Sequence, residues 1–394
     1  MTPNIGRLLP TDEMLSHQIV DTFATVAESD LAWTEKLWTP ISRKDGSLQI
    51  DIGLGRYQNR NVMDCFAGIS RGKEQWTVRA SRELGDTAHV AACGPLRYEI
   101  VEPLKKIRWT LAENEVAPLR FDVTFDAIHP CFFEDRHLQR DERGFRVVSN
   151  VVRYHQAGVP TGWVEIDGQR EEIRPQDWFC YRDHSWGVRL DVGEPATDVR
   201  PARNFGDEGL AASKFLLNWS PIILQRPDGS RVEYHFYLQI RGDEIFYFSG
   251  YRNAADGKQD RIARVRPELH YDDRTRRMAK GGVIRFDMLD GSTDTVELEV
   301  QGDSGFYLGP ALYLGFDGKR HGMWRGETHL DGERIPDMTA DDVQKRMKSA
   351  LRDTIIKVKS GQSEGYGIFE PIVLGDWEEG MLVGSRSPNS RIKP

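Results

Sequence analysis

Along most of this chain apolar and polar residues alternate with a period of two. The alternating runs are short, and turns rich in glycine and aspartate separate them. The clearest runs span 73–82, 105–112, 121–127, 145–154, 231–240, 245–251, 283–288 and 295–300. Between such runs lie Asp45-Gly46, Asp228-Gly229, Asp290-Gly291 and Asp317-Gly318, dipeptides that favour the tight turns joining antiparallel strands. A period of two puts successive side chains on opposite faces of a strand, so each run predicts one buried face. Chains of many short strands bury those faces by closing into sandwiches or barrels.

Two segments break the rhythm and carry helical spacing instead. In 12–28, Leu15, Ile19, Phe23 and Val26 fall on one stripe. In 339–358, Val343, Met347, Leu351 and Ile355 do the same, with Thr339 and Asp342 resembling a capping box. The expectation is an all-β protein with a few short helices.

A chain of 394 residues exceeds what one hydrophobic core usually supports. Two domains are therefore expected, over 1–200 and 201–394, with the junction in the polar, Gly/Pro-rich stretch 192–209. A weak internal echo fits a tandem arrangement: Gly162-Trp163-Val164-Glu165-Ile166-Asp167-Gly168 resembles Gly326-Glu327-Thr328-His329-Leu330-Asp331-Gly332. Strand–Asp-Gly–strand units are common enough for chance to produce the same pattern.

Composition narrows the class. Apolar residues make up 39% and charged residues 29%, as in ordinary globular proteins, and a net charge of −8 argues against a nucleic-acid partner. No run approaches the roughly 18–20 apolar residues of a membrane span, and the first residues do not read as a secretory signal. The cysteines, Cys65, Cys93, Cys131 and Cys180, form no C-x-x-C pair and read as small buried apolar residues, which fits a cytoplasmic location. Nucleophile-elbow, zinc-protease, P-loop and dinucleotide-binding signatures are missing. No two histidines stand two or four apart, so no metal site is expected, although a long-range set of His184, His235 and His329 stays open.

Candidate chemistry concentrates in Tyr181-Arg182-Asp183-His184-Ser185-Trp186-Gly187-Val188-Arg189. In an extended strand Arg182, His184 and Trp186 share one face, while Asp183 and Ser185 take the other. His184 and Trp186 would then lie roughly 7 Å apart. An imidazole exchanges protons near neutral pH, and an indole face stacks on flat ligands or stabilises a cation. His184 is the expected proton-transfer group, Asp183 its orienter or partner acid, and Trp186 the ring lining the ligand. The competing reading is a hydrogen-bonded knot that locks a barrel end.

A second cluster, 231–239, sets Val232, Tyr234, Phe236 and Leu238 against Glu233, His235, Tyr237 and Gln239. Tyr234 is a candidate second proton donor and His235 a candidate ligand contact, or the segment is an ordinary half-exposed strand. Trp163, Arg182, Glu327 and His329 complete the candidate binding residues. Glu370, between Phe369 and Pro371, demands a partner, and a salt bridge to Arg325 is the simplest.

With these segments placed, the order of motifs resembles the carotenoid 1,2-hydratase and AttH-like family. The resemblance rests on Asp183-His184-Ser185-Trp186-Gly187, Asn218-Trp219 with Asp228-Gly229, Trp324-Arg325-Gly326, and Gly365-Tyr366-Gly367-Ile368-Phe369-Glu370. It runs in order over about residues 30–380, and the His-x-Trp pair is its specific part. An Arg-Asp-His-Ser-Trp-Gly-x-Arg signature is also similar to one in a bacterial subgroup without assigned chemistry. The resemblance implies two tandem lipocalin-like barrels and cofactor-free acid–base chemistry on a hydrophobic small molecule. A hydratase, isomerase or cyclase of a terpenoid- or polyketide-like compound is what it suggests. The family's Tyr-x-Asp pair has no match after Tyr234, which leaves Asp183, His184 or Tyr234 to supply the proton. The alternative is a carrier that binds a lipid or pigment without chemistry. A hydrophobic small molecule is thus the expected partner, with a homodimer left open.

Overall fold

The computed structural model describes residues 9–13, 15–141, 144–194, 198, 215–242, 244–271, 279–347 and 351–374. Two antiparallel sheets carry the fold, as the alternation predicts. The first runs in the order Thr328–Ile335, Glu74–Glu83, Val62–Arg71, Gln49–Tyr57, Trp33–Arg43, Trp178–Val188, Val147–Ile166, Leu119–Ala127, Lys106–Leu111, Leu96–Glu102 and Ala92–Cys93. It curls until opposite regions touch: the Cys65 thiol donates to the Cys93 carbonyl at 3.2 Å, and Trp109 Nε1 donates to Thr39 Oγ1 at 3.1 Å. Its concave face is packed with Ile41, Ile50, Ile52, Ile107, Phe121 and Trp178.

The second sheet is an up-and-down meander of Phe215–Gln225, Arg231–Arg241, Glu244–Ala254, Gln259–Tyr271, Ala279–Met288 and Thr293–Val300, joined by Arg352–Ser360 and Ser363–Leu374. The last of these pairs with the first, and Thr293–Val300 pairs with Arg352–Ser360, so the ring closes. A closed antiparallel meander of this size is the lipocalin arrangement. Its interior is filled by Leu216, Phe236, Ile284, Phe286, Ile356 and Phe369.

Because side chains alternate, each sheet also presents an outer face, and these two outer faces meet. Trp38, Phe179 and Tyr181 of the first pack with Leu217, Trp219 and Ile368 of the second in a third apolar cluster. The architecture is therefore two filled barrels pressed together, with a cavity between them.

Several expectations fail for local reasons. The helix expected over 12–28 does not form among the described residues: a 3₁₀ turn, Pro10–Glu13, leads into irregular chain. Asp12 organises that chain, accepting hydrogen bonds from the backbone N–H of Leu9 at 2.6 Å and of Phe23 at 2.7 Å. Leu15 and Val20 are fully exposed, so no apolar stripe is buried there.

In 339–358 the helix is confined to Asp341–Arg346, and Thr339 Oγ1 bonds Asp337 at 2.6 Å instead of capping it. The β-branched run Thr354, Ile355, Ile356 and Val358 belongs to the strand Arg352–Ser360, where such side chains fit the pleated surface. The two halves of the echo also differ. Asp167-Gly168 turns with φ of 53° and 76°, whereas Asp331-Gly332 continues inside the strand Thr328–Ile335. That strand lies in the second half of the sequence yet forms the edge of the first sheet, against Glu74–Glu83. The expected junction, 192–209, falls outside the described residues except for 192–194 and 198.

Candidate active site

A cavity of about 670 Å³ opens where the outer faces diverge. Each strand contributes alternate residues to it: Lys36 and Trp38, Asp183 and Ser185, Leu217 and Trp219, Tyr237 and Gln239, Glu370 and Ile372. Neighbouring residues of the opposite parity point into the barrel cores, as Leu37 and Cys180 do in the first and Leu216, Phe236, Leu238 and Phe369 in the second. The size is that of a small-molecule site.

Glu370 is the chemically distinctive group on this wall. It shares a hydrogen bond with Asp353, which shares another with Asp51, so the three carboxyls form a chain. Trp38 Nε1 donates to Asp353 Oδ2 at 3.2 Å, and Gln49 Nε2 donates to Asp51 Oδ2 at 2.7 Å. Two carboxyls can hydrogen-bond only if one of them keeps a proton. Burial, then the neighbouring Asp353 carboxyl, raises Glu370 well above the ordinary carboxylate range. Burial and Asp51 raise Asp353 likewise, and burial pushes Asp51 up to about 7. All three carboxyls are thus shifted towards the protonated form, and Glu370 is the one of them that lines the cavity.

Across the cavity a carboxyl stands among cations. Asp183 is raised by burial, but Arg153 and Arg189 oppose the shift, and Arg153 Nε lies 3.2 Å from Asp183 Oδ2. Lys36 is brought down to about 7 by burial and by Arg189, with its Nζ 4.1 Å from the Tyr313 ring centre. Trp38 and Trp219 meet edge to face at 5.1 Å and form an aromatic wall beside Glu370.

Of the residues expected from the sequence, Asp183 reaches this cavity. His184 and Trp186 do not line it; their strand turns them to the opposite face. There His184 Nδ1 shares a hydrogen bond with the Tyr154 hydroxyl at 3.0 Å, and Nε2 shares one with Glu35 Oε1 at 2.8 Å. The Trp186 ring lies 5.5 Å from His184 and 6.1 Å from Phe133. Arg182 is buried on that same side, where it donates twice to Gln156 Oε1.

Trp163 sits under the Arg170 guanidinium at 4.2 Å. Tyr234 points into the second barrel, donating to Asp294 Oδ2 at 2.8 Å and stacking on Phe286. His235 faces the inter-barrel junction and is fully buried. Glu327 is exposed, and His329 Nε2 lies 3.6 Å from Asp331. Glu370 pairs with Asp353 rather than Arg325, whose Nη1 approaches Asp331 at 3.4 Å. The structure thus assembles Glu370, Asp353, Asp51, Arg153, Lys36 and the two tryptophans, none of which carried a proposed role in the sequence. Glu370 had left a signal as an acid flanked by Phe369 and Pro371, and Trp219 had appeared as part of the Asn218-Trp219 motif.

Comparison with known proteins adds the following. Solved structures with overall likeness include a candidate AttH of Nitrosomonas europaea, at 12% identity and a TM-score of 0.48, covering 88% of this chain and 93% of that one. Kievitone hydratase of Nectria haematococca is similar at 12% identity and a TM-score of 0.39, covering 86% and 88%. CghA bound to Sch210972 is similar at 10% identity and a TM-score of 0.46, covering 87% and 89%. No curated protein matches the sequence. Among the described residues no helix is long and apolar enough to cross a membrane. Residues 8–381 match a family of unknown function, DUF8625, and the chain belongs to that family.

Proposed function

We propose that this chain is an enzyme performing acid–base chemistry on a hydrophobic small molecule held between its two barrels. The observation that carries the reading is the placement of Glu370, a carboxyl raised by burial and by Asp353, beside Trp38 and Trp219 on the wall of a cavity that also holds Asp183, Arg153 and Lys36. A carboxylic acid kept protonated by its surroundings can deliver that proton to a weakly basic centre such as an alkene carbon. The C–H bond forms as the Glu370 O–H bond breaks, leaving a carbocation in the substrate and a carboxylate on Glu370. Trp38 and Trp219 present indole rings beside that centre, where they stabilise positive charge.

Three outcomes then balance the step. Loss of a neighbouring proton to Asp183 gives an isomer. Capture of water, with its extra proton taken by Asp183, gives a hydrate. Attack by a second alkene of the same molecule, followed by proton loss to Asp183, gives a ring. Asp353 or Asp51 passes a proton to Glu370, and the cycle closes when Asp183 gives its proton to water and the carboxyl row regains one from water. A terpenoid- or polyketide-like alkene suits the walls.

The test is turnover in D₂O of a panel of terpenoid alkenes, followed by mass spectrometry. Deuterium enters a product with the wild-type chain, and Glu370→Gln abolishes it while still binding the alkene. Unimpaired turnover by Glu370→Gln would sink the proposal. The apolar part of the wall, with Trp38, Leu217 and Trp219, also supports a second reading, a carrier without chemistry; it predicts binding of the same alkenes with no deuterium incorporation by either protein.

A further inference from the structure

Behind the cavity wall lies a second polar cluster that the acid–base chemistry does not use. His155 comes from Val147–Ile166 of the first sheet, His235 from Arg231–Arg241 of the second, and Glu134 from the chain after Phe132–Phe133. One ligand atom from each lies within 4.8 Å of the others. All three are buried, with relative exposures of 5% for Glu134, 2% for His155 and 0% for His235. The two imidazole rings face each other with centres 3.8 Å apart.

Internal hydrogen bonding explains only part of this arrangement. His155 Nε2 shares a hydrogen bond with Glu134 Oε2 at 3.0 Å, and Arg153 Nη1 donates to Glu134 Oε1 at 3.0 Å. Among the described residues neither nitrogen of His235 has a partner. Phe132 at 5.5 Å and Trp219 at 5.4 Å flank its ring and offer it no acceptor. A buried imidazole without any hydrogen bond is costly to fold, so the ring calls for a ligand.

We propose that Glu134, His155 and His235 form a binding site for a divalent transition-metal ion that clamps the two barrels together. Two neutral imidazoles and one carboxylate suit zinc, cobalt or nickel better than calcium or magnesium, which prefer all-oxygen shells. Arg153 supplies the outer partner that ligating carboxylates usually have, leaving Oε2 to turn towards the ion. The ligands come from both sheets, so bound metal would tie the junction that supports the Trp219 side of the cavity. The site does not depend on the acid–base reading, because a clamp of this kind would hold a carrier together equally well.

The full chain, unfolded in chelator and refolded with or without Co²⁺ or Zn²⁺, tests the proposal. Stoichiometric Co²⁺ uptake with visible d–d absorption is expected, together with a higher Tm in Zn²⁺. His235→Gln and Glu134→Gln lose both effects. If these variants do not fold, X-ray absorption of the zinc-loaded wild type decides, and a shell with two imidazoles is expected. Failure of the wild type to take up either metal overturns the proposal. So does metal retained unchanged in folded His235→Gln, or a different imidazole count.

Discussion

At the scale of single residues, Glu370 and His184 make opposite predictions. A general acid contributes about 10²–10⁴-fold to rate, so Glu370→Gln is expected to cut kcat by that order with little change in binding. His184→Ala, on the far face of its strand, is expected to leave turnover within a few fold of wild type in the same assay. Asp353→Asn removes the carboxyl that helps keep Glu370 protonated. The alkaline limb of its pH–rate profile is expected to move to lower pH, and an unmoved limb would argue against the shared chain. The sequence hinted at Glu370, since a carboxylate between Phe369 and Pro371 needs a partner. It could not name the partners, because Asp353 meets Glu370 through the pairing of Arg352–Ser360 with Ser363–Leu374, and Asp51 comes from the other sheet.

At the scale of elements, alternation located most strands but not which face came to line the cavity. In Trp178–Val188 the period of two correctly separated Asp183 and Ser185 from His184 and Trp186. The choice between those faces depends on how two barrels dock, which no local pattern encodes. The same limit explains Arg352–Ser360: its apolar stripe satisfies both a helix and a strand, and tertiary pairing with Thr293–Val300 and Ser363–Leu374 decided. Gly187 has a local explanation. Its φ is +132°, and an added Cβ would meet the Asn150 carbonyl oxygen at 2.0 Å. Gly187→Ala is therefore expected to destabilise the chain by about 1–3 kcal/mol in denaturant titration, the usual cost of backbone strain. Phe236, fully buried in the second barrel, should cost about 3–5 kcal/mol on truncation to alanine.

At the scale of the molecule, the cavity belongs to neither barrel alone. Residues from Lys36 to Ile372 line it, and Thr328–Ile335 crosses from the second half of the sequence to edge the first sheet. The division at residue 200 is best kept as a proposal about two cores; each half alone lacks one wall. Stability should carry the mark of the buried acids. Asp51 rises from 3.8 to about 7 on folding, so its protonated form favours the folded state. That contribution is fully present below about pH 4 and disappears as pH rises through about 7. Asp51→Asn is expected to flatten the loss of Tm between those values, and an unchanged slope would count against a proton held at this position.

The central claim is that Glu370 carries a proton at neutral pH where it faces the cavity. Infrared spectroscopy reads this directly, since a protonated carboxyl has its own C=O stretch, distinct from that of a carboxylate. The wild-type minus Glu370→Gln difference spectrum at pH 7 should show that band, and the His184→Ala protein should keep it. A carboxylate band in its place would mean that Glu370 is ionised and that the proposed acid does not exist.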